Sequence, residues 1–241
     1  MPAPRLAGAA FILVAMVGCS SPAASSPVPP AASPEVSAST TPPPPVRPPE
    51  TAAARPSVTA EPLWAVFASD GRPRSSVLSI PALGVRGLRV QAYGGSPDDA
   101  RGTAIQDRGI AASPYGARGG TGPGGIGNHI VTAHRTSSTR AFAQLPSLLA
   151  GAQVHLVAGG KRYTYEIVAT RLTSFRSKAS LAKQSAAVPR HPAAEPTKAM
   201  ITLSTCRTPE DRAEGNFWSD RFGNPEHRID KIGKLVDIQP A

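Results

Sequence analysis

Residues 20 to about 60 consist almost wholly of Pro, Ala, Ser and Thr, and include the run TPPPPVRPPE. A segment with so few large apolar side chains cannot bury enough surface to offset the entropy of ordering it, and its prolines favour an extended, semi-rigid conformer. A disordered linker is therefore expected over 20–72. At ~3.1 Å per residue it could hold a folded domain on the order of 100 Å from the N-terminal segment. Folding is confined to 73–241, a length at which one domain can close its own core.

From Pro73 the composition shifts to short β-branched runs broken by Gly and Pro. SVLSIPALGVRGLRVQAY predicts two strands around Pro81 and Gly84, and GNHIVTAH a third. AQVHLVAGGKRYTYEIVATRLTSF alternates on both sides of Gly159-Gly160 and predicts a hairpin there. KAMITLSTC and HRIDKIGKLVDIQ add two late strands. Short strands without regular βα alternation define a mainly β domain, an antiparallel or mixed barrel or sandwich, with short helices expected at 140–149 and 180–188. The passage RGTAIQDRGIAASPYGARGGTGPGGIGN reads as a surface loop. Its glycines lead into a strand rather than a helix and no Lys-Ser/Thr comes after them, so it is no phosphate cradle.

The formal net charge of +10 suits anionic surroundings: nucleic acid, lipid headgroups or cell-wall polymers. Aromatic residues make up only 5% of the chain, and no basic block is interleaved with them, which argues against nucleic acid. After Arg5, residues 6–18 (LAGAAFILVAMVG) form an apolar run shorter than the ~20 residues of a membrane span but within the ~7–15 of a signal-peptide core. Export is expected. The run ends in MVGC, which resembles the lipobox of bacterial lipoproteins, with Cys19 lipidated and 1–19 as the signal segment. An uncleaved short anchor, or a secretory signal discarded with Cys19, remains open. Each option leaves Cys206, the other cysteine, without an intramolecular partner.

Strand alternation puts Thr202, Ser204 and Cys206 on one face and Ile201, Leu203 and Thr205 on the other. Cys206 thus ends its strand on the more polar side, although a free cysteine is often a small buried hydrophobe. A thiol becomes a nucleophile when a base or cation holds it as thiolate, and acyl transfer needs a donor for the oxyanion. His134 ends its own strand as Cys206 does, and Arg228 opens the last strand with a permanently charged fork. Their convergence is the expectation to test. His129, five residues from His134, falls on the opposite face; His155, His191 and His227 complete no metal-ligand spacing. Arg135 and Arg207 read as solvated charge facing away, while Phe217 and Trp218 line a groove or pack a loop.

IVTAHRT, ITLSTC and HRIDKIGKL resemble the three signature segments of sortases, the cysteine transpeptidases of Gram-positive surfaces, most closely the actinobacterial class E type. The similarity extends over almost all of 76–238. It implies a closed eight-stranded β barrel with short helices as the catalytic domain, 73–241. It further implies Cys206 as nucleophile, His134 as proton donor and acceptor, Arg228 steadying substrate and oxyanion, and Thr205 helping to bind substrate. The substrates implied are secreted proteins with LPxTG- or LAxTG-like sorting signals, cut between Thr and Gly. The acceptor implied is an amine of a peptidoglycan precursor or pilin, with no metal or organic cofactor. The short apolar run ending in Cys19 departs from the transmembrane segment common in this class. AHR departs from the usual Gly before the histidine. The competing reading is a non-catalytic surface lipoprotein that binds wall polymer or scaffolds other proteins, with Cys206 structural.

Overall fold

The computed structural model describes residues 68–241. The expected signal segment, lipidation at Cys19 and the linker as far as residue 67 lie outside the described residues.

Eight strands close into a barrel in the order β1-β2-β3-β4-β7-β8-β6-β5. β1 (Ser76–Ile80) and β2 (Val85–Gly94) pair antiparallel through a 3-10 turn at Pro81–Leu83, which Gly84 ends at φ 67. α1 (Ala100–Asp107) crosses over to β3 (Ala111–Tyr115), which runs parallel to β2. β4 (Gly127–Thr132) comes next, and β5 (Gln153–Ala158) and β6 (Lys161–Ser174) form the hairpin expected at Gly159-Gly160. Both glycines have positive φ, 57 and 71, as a two-residue turn of that hand requires. α2 (Lys178–Ser185) leads to β7 (Ala199–Cys206), and α3 (Thr208–Ala213) to β8 (His227–Pro240). β7 lies between β4, to which it is parallel, and β8, to which it is antiparallel.

β7 shows why this arrangement is stable. Ile201 and Leu203 face the interior with Leu78, Val131, Leu156, Tyr165 and Ile167, all fully buried. Thr202 and Ser204, on the outer face, are buried as well: Thr202 Oγ1 donates to Asn128 Oδ1 at 2.8 Å, and Ser204 Oγ accepts from Gln184 Nε2 of α2 at 3.1 Å. A strand covered on both faces is rigid, which suits one that ends in a candidate nucleophile.

Three expectations are corrected. The helix at 140–149 is a 3-10 turn at Leu145–Ser147; Ser138 and Arg140 adopt left-handed φ of 52 and 54, which no α-helix continues through. The Gly-rich passage contains α1 and β3, and its Gly122–Gly125 stretch is buried rather than a surface loop. The reason is the segment just before Pro73. Gly122 N–H donates to Gly71 O at 2.9 Å, and a Cβ on Gly122 would lie 1.9 Å from Arg72 O, so only glycine lets the two backbones touch. Residues 69–72, expected to be linker, pack on the barrel.

His129 on β4 carries a pH prediction. Its Nδ1–H donates to Thr121 O at 2.8 Å, its Nε2 is buried without a hydrogen-bond partner, and burial pushes its pKa down to about 4. Below the ordinary value of 6.5 the unfolded chain takes up a proton that the fold refuses. Stability is therefore full above that pH and falls toward about 4, by roughly 3 kcal/mol. His129→Asn keeps a donor for Thr121 and removes the titration. Urea midpoints at neutral and mildly acidic pH should differ less for it than for the native chain; equal differences would refute the assignment.

Candidate active site

The parallel pairing of β4 with β7 reaches Thr132 opposite Ser204 and continues one step, with Ala133 N–H donating to Ser204 O at 3.3 Å. His134 therefore emerges at the end of β7 where Cys206 sits. On the other side, the β7–β8 ladder places Arg228 directly opposite Cys206. The three residues far apart in sequence thus lie on adjacent strands at one rim, with Cys206 in the middle. Thr205 faces the other way: it is buried and its hydroxyl donates to Ala133 O at 2.7 Å. There it ties β7 to the segment carrying His134.

Arg228 is 1% exposed, an expensive place for a charge, and its surroundings explain how it is held. Nε donates to Asp98 Oδ2 at 2.9 Å, and the guanidinium carbon lies 4.4 Å from the centroid of the Phe175 ring. Both terminal amines are buried without a hydrogen-bond partner among the described residues. An arginine clamped at Nε with two unpartnered donors beside a cysteine has hydrogen-bonding capacity left for an oxygen that gains negative charge.

Asp98 and its neighbours escape a reading based on sequence, and they set the geometry. Asp98 sits at φ 56, its Oδ1 accepts from Gln106 Nε2 at 2.7 Å, and Gln106 Nε2 also donates to Thr132 Oγ1 at 3.0 Å. The next residue, Asp107, is exposed and meets His134 Nε2 at 2.8 Å through Oδ1. One short helix therefore braces the arginine side through Gln106 and the histidine side through Asp107. That helix begins at Asp99, whose side chain accepts from Gly102 N–H at 2.9 Å as an N-cap.

Arg135 and Arg207 are paired rather than free. Arg135 makes a two-pronged pair with Glu210 and donates to the Cys206 carbonyl at 3.4 Å; Arg207 pairs with Asp211 and Glu214. Asp211 also receives His227 N–H at 3.1 Å, so α3 is fastened to the strand ends on both sides of the cysteine. Phe217 is exposed and Trp218 lies under Arg176, at 6.0 Å; the aromatic ring at the site is Phe175.

Burial pushes the Cys206 thiol up; Arg228 opposes this and Asp98 adds to it. The resting side chain is therefore a thiol at neutral pH. Alkylation by iodoacetamide should keep accelerating to pH values above the ordinary 9.0, and a plateau below pH 7 would contradict this environment.

A closed mixed barrel that gathers a cysteine, an arginine and a histidine on one rim is the framework of a cysteine acyltransferase. The sortase domain profile matches residues 78–221, more than half of the chain, and the protein belongs to the sortase family of cysteine transpeptidases. Arg228 lies beyond the matched stretch, so its placement rests on the structure alone. The chain is similar to the SrtA sortase from Actinomyces oris, with 18% identity and a TM-score of 0.53, over 72% of this chain and 90% of that one. It is also similar to Sortase E1 from Streptomyces coelicolor, solved with a tripeptide in the active site, with 20% identity and a TM-score of 0.50, over 72% and 93%. At these identities the likeness concerns the fold. A comparison with curated proteins found no match.

Proposed function

We propose that this protein is a class E-like sortase that cleaves an LPxTG- or LAxTG-type sorting signal between Thr and Gly and passes the acyl group to a cell-wall or pilin amine. The observation that carries this reading is the pair of unpartnered Arg228 amines facing the strand end of Cys206. The Cys206 thiol passes its proton to His134 as the sulfur attacks the Thr carbonyl. The oxyanion that forms accepts from Arg228. As it collapses, the Thr–Gly bond breaks and His134 gives a proton to the departing amine. A thioester remains. An incoming amine, relieved of a proton by His134, attacks it, and Cys206 leaves with its thiol restored.

A cavity of about 560 Å³ between the β2–α1 corner and α2 supports a peptide substrate. Pro97, Phe175, Leu181 and Phe222 give it apolar walls, and it ends on Asp98, which holds Arg228. An extended signal with small and apolar side chains suits such a groove.

Incubating the full chain with fluorogenic LPxTG and LAxTG peptides should release the Gly fragment and leave a thioacyl adduct on Cys206 by mass. Cys206→Ala should abolish both. A protein that only binds wall polymer would cleave no peptide and lose nothing in that variant, which would defeat the proposal. We further propose that the domain works outside the cytoplasm, attached to the membrane through a lipid on Cys19. Labelling with a fatty-acid analogue should mark the native chain and spare Cys19→Ser; equal labelling would exclude that anchor.

A further inference from the structure

α2 has a second cavity on its other side. Lys178, Leu181, Ala182 and Ser185 face the peptide groove, whereas Ala179, Ser180 and Lys183 face a separate space of about 480 Å³. Its floor is the outer face of the barrel: Arg171 and Thr173 from β6, Asp230 and Ile232 from β8, and Thr202 from β7. Arg190 and His191, from the loop after α2, close the rim.

The charges here are out of balance. Arg171, Lys183 and Arg190 take part in none of the ion pairs among the described residues. The cavity's carboxylate, Asp230, forms no ion pair with them and offsets the charge on Arg171 only in part. It is buried, and its oxygens accept from Thr173 Oγ1 at 2.5 Å and Gln184 Nε2 at 3.1 Å. Arg171 Nε is buried without a hydrogen-bond partner, and burial, then the nearby Arg190 charge, push its guanidinium below the ordinary value. Arg190 itself is held at φ 78, a conformation costly for a side chain with a Cβ, while its N–H donates to Lys183 O at 2.9 Å. Strain, an unpaired buried donor and converging cations share one cavity.

We propose that this cavity is a binding site for a multiply charged phosphoryl anion of the diphosphate kind, separate from the peptide groove. Two guanidinium forks match phosphate oxygens two at a time, and a lysine adds a point charge. A single carboxylate would leave most of these donors unanswered. No Phe, Tyr or Trp lines the space, and its one ring, His191, lies at the rim, which gives little platform for stacking successive nucleic-acid bases. The volume falls in the range of small-ligand sites.

Titration calorimetry with inorganic pyrophosphate on the full chain at low salt should show one saturable site. Arg171→Gln/Arg190→Gln should weaken it by at least ~10-fold, as loss of two charge-assisted pairs requires. Arg86→Gln/Arg162→Gln, which removes two exposed arginines elsewhere, should not. Should the first double variant lose its thermal transition, Arg190→Gln alone, on the exposed loop, is expected to weaken binding measurably. Cys206→Ala should bind as the native chain does, so this result is independent of the catalytic reading. Co-sedimentation with phosphatidylcholine vesicles with and without a prenyl diphosphate assigns the source. Recruitment that exceeds that of the arginine variant, and occurs only with the diphosphate, identifies a lipid headgroup; pyrophosphate binding without it identifies a free anion. Absence of saturable pyrophosphate binding, or equal affinity in the arginine variants, overturns the proposal.

Discussion

A lysine at position 228 is expected to lower kcat for peptide cleavage by about 10²–10³-fold while the barrel stays folded. The lysine keeps the positive charge that Asp98 neutralises, so the buried pair can re-form across one ammonium. It cannot, however, bond Asp98 and present two further donors in a fixed plane, as the guanidinium does with Nε on Asp98 and both terminal amines free. The loss should fall on kcat rather than KM, because the missing donors act on charge that develops only in the transition state. Alkylation of Cys206 should persist, since a cation still opposes the burial of the thiol. Turnover within threefold of the native enzyme would mean that Arg228 serves only to balance Asp98.

The three candidate site residues could be read from the chain because each ends or opens a run with a strong period. Ile201 and Leu203 alternate with Thr202 and Ser204, and that alternation alone puts Cys206 on the polar face and Thr205 on the other. The supports could not be read in this way. α1 buries Gly102, Ile105 and Gln106, a set with little apolar period, because a tyrosine ring lies where a larger residue at 102 would go: a Cβ there would sit 2.3 Å from Tyr93 Oη. β3 reads AASPY, with no β-branched residue, and is a strand because β2 and β4 flank it. The one sequence trace of α1 is Asp99 as an N-cap before Gly102, hidden among glycines that suggest a loop. Tertiary context, rather than local propensity, made those elements. The acidic partners of Arg228 and His134 came with them.

Asp98→Asn should be the most damaging of the conservative changes. Asparagine tolerates the left-handed φ of 56 as aspartate does, so the substitution isolates charge from conformation. It leaves a single acceptor oxygen where Arg228 Nε and Gln106 Nε2 now use two, and it strands a guanidinium that is 1% exposed. Removing one partner of a buried pair costs about 3–5 kcal/mol, which for a domain of this size lowers Tm on the order of 10 °C. The thiol should respond in the opposite sense. Asp98 helps push Cys206 up, so without that charge the thiolate forms more readily, and the alkylation midpoint should move to lower pH even as turnover falls. A profile measured well below Tm, where the fold is intact, keeps loosening of the structure from contributing to that shift. An unchanged Tm together with an unchanged midpoint would show that Asp98 neither holds the arginine nor sets the charge at the site.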